Sequence, residues 1–184
     1  KGITSGYAPL SGCIVSEHVW RTIVDEGGKK FGPFGHGYTY TAHPVMAAAA
    51  LANLDLLERE DLVARAGRMG AYLQDRLRAA FADLPIAAEV RGDGLVAAVE
   101  FAQPEKAGPR KFDPSLTVAA RIVRKALEAG LIVRALPDGD SVSFSPPFVI
   151  DEDGIDFMVD TTRAAAGAVF DELRASGDIA RPAA

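Results

Sequence analysis

The sequence has only one cysteine among its 184 residues, Cys13, so no disulfide bond can form within the chain. Proteins without disulfides fit a reducing compartment, and we therefore expect a cytoplasmic location. Cys13 lies in an apolar stretch with Ile14 and Val15, and free cysteines in such surroundings are usually buried. We expect Cys13 to be a buried structural residue rather than a nucleophile, because no neighbouring residue type would activate a thiol.

An excess of basic residues is also missing. The 20 lysines and arginines are outnumbered by 25 aspartates and glutamates, which gives a net charge of -5. Nucleic-acid binding requires a basic surface against phosphates, so this class of partner is not expected. The most apolar stretch, residues 45–57, is interrupted by polar side chains and is too short to span a bilayer. The three histidines, His18, His36 and His43, lack the spacing of metal ligands, so no metal site is expected.

The hydrophobic periodicity predicts helices that alternate with short strands. Helices are expected at residues 17–25, 44–58, 61–82, 113–129 and from 151 onward, and strands at residues 13–16, 97–101, 131–134 and 141–145. The last two strands flank a Pro-Asp-Gly-Asp turn and are expected to pair as a hairpin. Residues 26–43, rich in glycine and aromatic residues, are expected to form a long functional loop. The sum is an α/β or α+β fold, with helices on a small, largely antiparallel sheet.

Four short phrases draw attention to chemistry. Residues 1–12 read Lys-Gly-Ile-Thr-Ser-Gly-Tyr-Ala-Pro-Leu-Ser-Gly, and residues 37–44 read Gly-Tyr-Thr-Tyr-Thr-Ala-His-Pro before an alanine-rich helix. Residues 130–134 read Gly-Leu-Ile-Val-Arg, and Ser-Pro-Pro-Phe follows at residues 145–148. Residues 91–95, Arg-Gly-Asp-Gly-Leu, are expected to form a tight turn before a strand. Taken singly, each phrase also has a plain structural interpretation as a terminus, a helix cap, a solvated charge or a turn.

Taken together and in this order, the phrases resemble the class III aminotransferases of the ω-amino acid/amine:pyruvate type, in a C-terminal portion that begins at the Schiff-base lysine. The resemblance covers residue 1 to about residue 173. It implies an α/β fold, the PLP-dependent transferase type I fold, in a homodimer or a tetramer. Within it, residues 1–82 would be the C-terminal part of the large domain, residues 83–175 the small α+β C-terminal domain, and residues 176–184 a flexible tail.

The resemblance also implies roles for three residues. Lys1 would be the catalytic residue that holds pyridoxal 5'-phosphate (PLP) as a Schiff base, since a lysine amine can condense with an aldehyde. Thr39 would bind the cofactor phosphate of the neighbouring subunit, where a hydroxyl near a helix N-terminus suits an anion. Arg134 would bind the substrate carboxylate, because a guanidinium group pairs with carboxylate in bidentate fashion, and would swing aside for bulky amines.

The implied reaction transfers an amino group from an amine or ω-amino acid to a keto acid, with pyruvate as the expected acceptor. Two alternatives stay open from the sequence. One is an aminomutase or decarboxylase on the same fold, and the other is a non-catalytic dimerisation or regulatory fragment. The chain lacks an initiator methionine, and the resemblance places the aspartate for the cofactor ring before Lys1. We therefore expect a fragment that is a poor enzyme by itself.

Overall fold

The computed structural model describes residues 1–104, 110–137 and 139–179, and the chain divides into two compact units, Lys1–Asp61 and Leu62–Ala184. Helices and one antiparallel sheet make up the regular structure, in agreement with the α/β class expected from the sequence. Within these ranges, no helix is both long enough and apolar enough to cross a membrane.

The first unit, Lys1–Asp61, is helical. It contains a 3-10 turn (Gly2–Thr4), helix α1 (Glu17–Arg21), a π-helical stretch (Thr22–Gly27), helix α2 (Gly28–Phe31) and helix α3 (Pro44–Arg59). Both helices predicted for this part of the sequence are confirmed, and the first continues through the π-helical stretch into the region expected to be loop. Helix α3 begins where its sequence dictates. Pro44 occupies the first turn, and the ring nitrogen Nδ1 of His43 accepts the Val45 backbone N–H at 3.3 Å.

The expected strand at residues 13–16 is wrong. These residues are extended but belong to no sheet, and Cys13 is exposed rather than buried. A strand is held by hydrogen bonds to a neighbouring strand, and the first unit, which is described in full, contains none. Without a neighbouring strand in the first unit, the apolar pattern alone does not bury the cysteine.

The first unit has almost no core of its own. Thr4 and Ala50 are its only buried residues, and large apolar side chains such as Ile14, Trp20 and Leu51 are exposed. An apolar surface of this extent is typical of a face that contacts other protein.

The second unit, Leu62–Ala184, carries the sheet and the main core. Its strands are β1 (Ala87–Asp93), β2 (Val96–Phe101), β3 (Arg134–Ala135) and β4 (Ser141–Phe144), ordered β1-β2-β4-β3, and every neighbouring pair is antiparallel. The predicted hairpin is therefore confirmed, although β3 is shorter than expected. The tight turn lies later than predicted, at Gly94 and Leu95, because residues 91–93 pair with β2 as the end of β1.

Helices α4 (Leu62–Phe81) and α5 (Val118–Glu128) pack on this sheet, and α6 (Glu152–Ser176) packs against both of them. Their buried stripes agree with the predicted periodicity and meet the sheet in one core that includes Leu73, Leu77, Ile122, Val159 and Leu173. The predicted helix over 113–129 is interrupted. A 3-10 turn at Pro114–Leu116 ends at Thr117, whose φ of 45° is left-handed, and α5 starts only afterwards.

The division of the chain after Asp61 places helix α4 in the second unit. The domain boundaries of the complete fold, after residues 82 and 175, stay predictions. In the expected tail, Ser176 ends α6, Gly177 takes the left-handed conformation of a helix C-terminus, and Ile179 is buried. Residues 180–184 lie outside the described residues.

Candidate active site

The backbone that follows Lys1 forms a tight turn of the kind that ends helices. The Lys1 carbonyl accepts the Gly6 N–H at 2.9 Å, and the Gly2 carbonyl accepts the Ser5 N–H at 3.2 Å. This pair of bonds is the Schellman pattern, with Ser5 in the left-handed region at φ 51° and Gly6 at φ 79°. The glycine-bearing phrase of the sequence therefore folds back on the lysine and fixes the direction in which its backbone leaves the turn.

Two side chains hold this turn in place. The buried Thr4 hydroxyl donates to the Ala8 carbonyl at 2.5 Å and accepts the Ala8 N–H at 3.2 Å, which closes the next part of the loop. Asn53, on helix α3, donates from Nδ2 to the carbonyls of Gly2 and Ile3 at 3.3 and 3.1 Å. Its Oδ1 accepts the Ser5 hydroxyl at 2.7 Å. The loop after Lys1 is thus fastened to a helix about 50 residues away in sequence.

Two hollows adjoin each other in the first unit. The lysine hollow, about 540 Å³ in volume, is lined by Lys1, Gly6, Ala8, Pro9, Leu10 and Ser11. The tyrosine hollow, about 440 Å³, shares residues 9–11 and adds Tyr38, Tyr40, Thr41, Ala42, His43 and Met46. The first and second sequence phrases therefore come together in space, with the Pro9-Leu10 segment as their common wall.

Thr39 lies in a turn between these aromatic residues. The Tyr38 carbonyl accepts the Thr41 N–H at 2.9 Å, and the Thr41 hydroxyl accepts the Tyr38 N–H at the same distance. These bonds make Thr41 the residue that closes the turn. Thr39 is exposed, and its hydroxyl has no hydrogen-bond partner within the described part of the chain. Neither hollow includes Thr39 in its lining.

Arg134 belongs to the second unit, where it begins strand β3 and pairs with Ser143 of β4. Its side chain is exposed and forms no ion pair with the described residues. Asp140, in the turn that follows Arg134, has a different partner: its Oδ1 accepts the Ala119 N–H at 3.0 Å and so caps helix α5. Asp138, in the same turn, lies outside the described residues.

Asp156 and Glu172, two of the carboxyl groups whose pKa is lowered, both lie on helix α6 of the second unit. The guanidinium of Arg76 and then the Tyr72 hydroxyl lower the pKa of Asp156, which they contact from helix α4. Lys125 and then Arg121, both on α5, lower the pKa of Glu172. These interactions tie α4 and α5 to α6, so they are structural.

Sequence reasoning missed two residues that organise these elements. The sequence pattern indicates Asn53 only as a polar interruption of an apolar helix, and it places Asp140 in a turn. For Asn53, the available signal was a single asparagine on the inner side of a helix that is otherwise rich in alanine and leucine. No signal in the local sequence pointed from Asp140 to the distant Ala119.

Comparison with known proteins places the chain in a family. The family model described as "Aminotransferase class-III" matches residues 1–165. A diaminobutyrate–2-oxoglutarate transaminase of Halomonas elongata is 48% identical over 179 residues, covering 97% of this chain and 38% of that protein. A putrescine–pyruvate aminotransferase of Pseudomonas aeruginosa is 37% identical over 164 residues, covering 89% of this chain and 34% of that protein.

Solved structures agree. A transaminase from directed evolution by ancestral reconstruction has a TM-score of 0.89 and 51% identity, covering 94% of this chain and 37% of its own. The PMP-bound form of an aminotransferase from Vibrio fluvialis has a TM-score of 0.84 and 31% identity, covering 94% of this chain and 37% of its own. The chain thus spans well under half the length of the relatives that it matches. On the family match and these likenesses, it belongs to the class III aminotransferases, a PLP-dependent family.

Proposed function

We propose that the protein containing these residues transfers an amino group from an amine or ω-amino acid to a keto acid, with PLP bound to Lys1. The observation that carries this proposal is the family match, which begins at Lys1 and continues through the whole lysine loop. It acts as a dimer or higher oligomer, as the resemblance implies, and in the cytoplasm, the reducing compartment that a chain with a single cysteine fits.

The residues of the first unit fit the cofactor. Lys1 offers a primary amine at the edge of the lysine hollow, whose other walls are small or apolar residues. Small residues let a planar ring approach the backbone closely. The Thr39 hydroxyl, which has no hydrogen-bond partner among the described residues, lies near the start of helix α3 and offers a donor for phosphate.

Within such a site, Lys1 has two tasks. Its Nζ holds the cofactor between turnovers, and once released it accepts and returns a proton as a general base. When bound, PLP supplies the electron sink that stabilises the deprotonated substrate. The Schellman turn that follows Lys1 restricts the backbone conformation of this residue. The amine therefore moves mainly through the side-chain torsions of Lys1.

Arg134 is proposed as the residue that binds the acceptor carboxylate. Its freedom from ion pairs in the described residues leaves the guanidinium available, and its position at the start of β3 holds only its backbone. The two relatives are named for different acceptors, 2-oxoglutarate and pyruvate, and both of these keto acids carry a carboxylate next to the ketone. We propose pyruvate as the acceptor here.

Borohydride reduction of the complete holoenzyme, followed by peptide mapping, tests the role of Lys1. The pyridoxyl label is expected on Lys1, and Lys29 and Lys30, which are also exposed in the first unit, serve as internal controls. A label on another lysine would overturn the assignment.

Product analysis separates transamination from other reactions on this fold. With an amine and pyruvate, a transaminase yields alanine and a carbonyl compound in equal amounts. Release of carbon dioxide, or isomerisation of an amino acid without any acceptor, would replace the proposal by a decarboxylase or an aminomutase. No visible absorbance from cofactor in the complete protein would indicate a non-catalytic role.

A further inference from the structure

We infer that Asn53 is a positioning residue for Lys1: its carboxamide fixes the turn from which the lysine reaches the cofactor. The inference rests on the proposed function, because it concerns the same lysine. Asn53 does not line either hollow and is too far along the chain to be noticed from the lysine phrase itself.

The carboxamide of Asn53 matches the turn with all of its hydrogen-bonding atoms. Nδ2 donates to the carbonyls of Gly2 and Ile3, and Oδ1 accepts the Ser5 hydroxyl. The last carbonyls of a helical turn have no partner within the turn, so the Ile3 carbonyl depends on such a donor. An asparagine can donate twice and accept once in this place, whereas an aspartate would set an anionic oxygen against two carbonyl oxygens.

The turn itself needs this support. Ser5 occupies the left-handed region at φ 51°, where residues other than glycine are disfavoured. Its hydroxyl bond to Asn53 holds it there. The Gly6 N–H to Lys1 carbonyl bond, which sets the backbone at Lys1, is part of the same Schellman pattern. Loss of Asn53 is therefore expected to loosen the turn up to and including Lys1.

Helix α3 gives Asn53 a fixed position. The helix is capped at its start by His43 and Pro44, and Asn53 lies in its interior, half-buried. Side chains on regular elements hold functional groups more accurately than side chains on loops. The arrangement therefore connects the lysine turn to helix α3 by means of one side-chain amide.

The test uses three variants of the complete protein. Asn53→Ala removes all three hydrogen bonds, and Ser5→Ala removes one of them without altering α3. Asp55→Ala is the matched control, because Asp55 is an exposed acidic residue on the same helix without a hydrogen bond to the described residues. Each apoprotein is mixed with PLP, and the rate of covalent attachment is followed by visible absorbance. Hydrogen–deuterium exchange then reports on the amides of Ser5 and Gly6.

Asn53→Ala is expected to slow covalent attachment roughly tenfold and to speed exchange at Ser5 and Gly6, as the loss of one to two net hydrogen bonds would. Ser5→Ala is expected to have a smaller effect in the same direction. Asp55→Ala is expected to match the wild type in both measurements. A merely structural role would lower the urea midpoint of Asn53→Ala but leave attachment and local exchange in the folded protein unchanged.

Attachment at the wild-type rate with unchanged exchange in folded Asn53→Ala would overturn the inference. If Asn53→Ala does not fold, wild-type attachment in Ser5→Ala would overturn it instead. Borohydride labelling of the wild type in the same experiment keeps the two proposals apart. A label on Lys1 with no effect of Asn53→Ala refutes only the positioning role, whereas a label elsewhere refutes the proposed function.

Discussion

The close approach of helix α4 to the β1–β2 turn predicts that Gly70→Ala destabilises the second unit. A Cβ atom at residue 70 would lie 2.4 Å from the carbonyl carbon of Gly94 and 2.6 Å from its carbonyl oxygen. The turn cannot easily retreat, because Gln74 donates to the Gly94 carbonyl at 3.2 Å and also to the Val96 carbonyl. The helix or the hairpin must therefore move to admit one methyl group.

The magnitude follows from two opposing terms. Overpacking a filled site costs about 1–3 kcal/mol, and we take the upper end because the clash is with backbone rather than with the end of a flexible side chain. Alanine is favoured over glycine in a helix interior by about 1 kcal/mol. The expected net loss for Gly70→Ala is therefore about 2 kcal/mol.

Gly67→Ala provides the matched control in the same helix. Gly67 is exposed, and a Cβ atom there would meet nothing within 4 Å. Only the helix-propensity term then applies, so the free energy of unfolding of this variant is expected to rise by up to about 1 kcal/mol. The two substitutions are chemically identical and lie less than one turn apart, yet we expect opposite signs and a difference of about 3 kcal/mol.

Urea unfolding of the cofactor-free protein, followed by circular dichroism, measures both variants against the wild type. Omitting the cofactor keeps its binding energy out of the comparison. If Gly70→Ala were as stable as Gly67→Ala, the close contact between α4 and the Gly94 turn would be refuted. A loss in both variants would show that the propensity term has been overstated.

Three further predictions concern the site and the ion pairs that Glu172 forms between α5 and α6. Thr39→Ala is expected to weaken PLP affinity roughly ten- to hundredfold without changing the stability of the apoprotein. Thr39→Ser keeps the hydroxyl and is expected to restore the affinity. An unchanged affinity of Thr39→Ala, measured by absorbance titration, would contradict the phosphate role. Arg134→Ala is expected to slow the pyruvate half-reaction strongly and the amine half-reaction weakly in single-turnover measurements, whereas equal losses would indicate a structural arginine. Glu172→Gln is expected to lower stability at neutral pH. Because Lys125 and Arg121 lower the folded-state pKa of Glu172, the stabilisation is present above the ordinary carboxyl pKa and is lost as pH falls through the lowered value. The difference in urea midpoint between wild type and Glu172→Gln should therefore shrink on acidification, and a constant difference would contradict this.

Local sequence was sufficient for helices α4 and α6 and for the hairpin of the second unit. The stripe of α6 runs from Ile155 to Leu173 at helical spacing, and Asp151 before it caps the helix by accepting the Gly154 N–H. Strand β2 follows from the alternation of Ala97, Val99 and Phe101, which are all buried. These features depend on residues within a few positions of each other, so periodicity and capping determine them. The family resemblance was equally local, and the family match confirms it.

Tertiary structure decided what depended on distant partners. Cys13 is exposed because a strand needs a neighbouring strand, which the first unit does not provide. The break at Thr117 accompanies a cap supplied by Asp140, which lies 21 residues after Ala119, the residue whose N–H it accepts. Asn53 reaches the lysine turn from about 50 residues away. A hydrogen bond depends on the positions of two groups in space, and a sequence pattern records only their positions along the chain. The lysine phrase could therefore be recognised from sequence, but the residue that holds it could not.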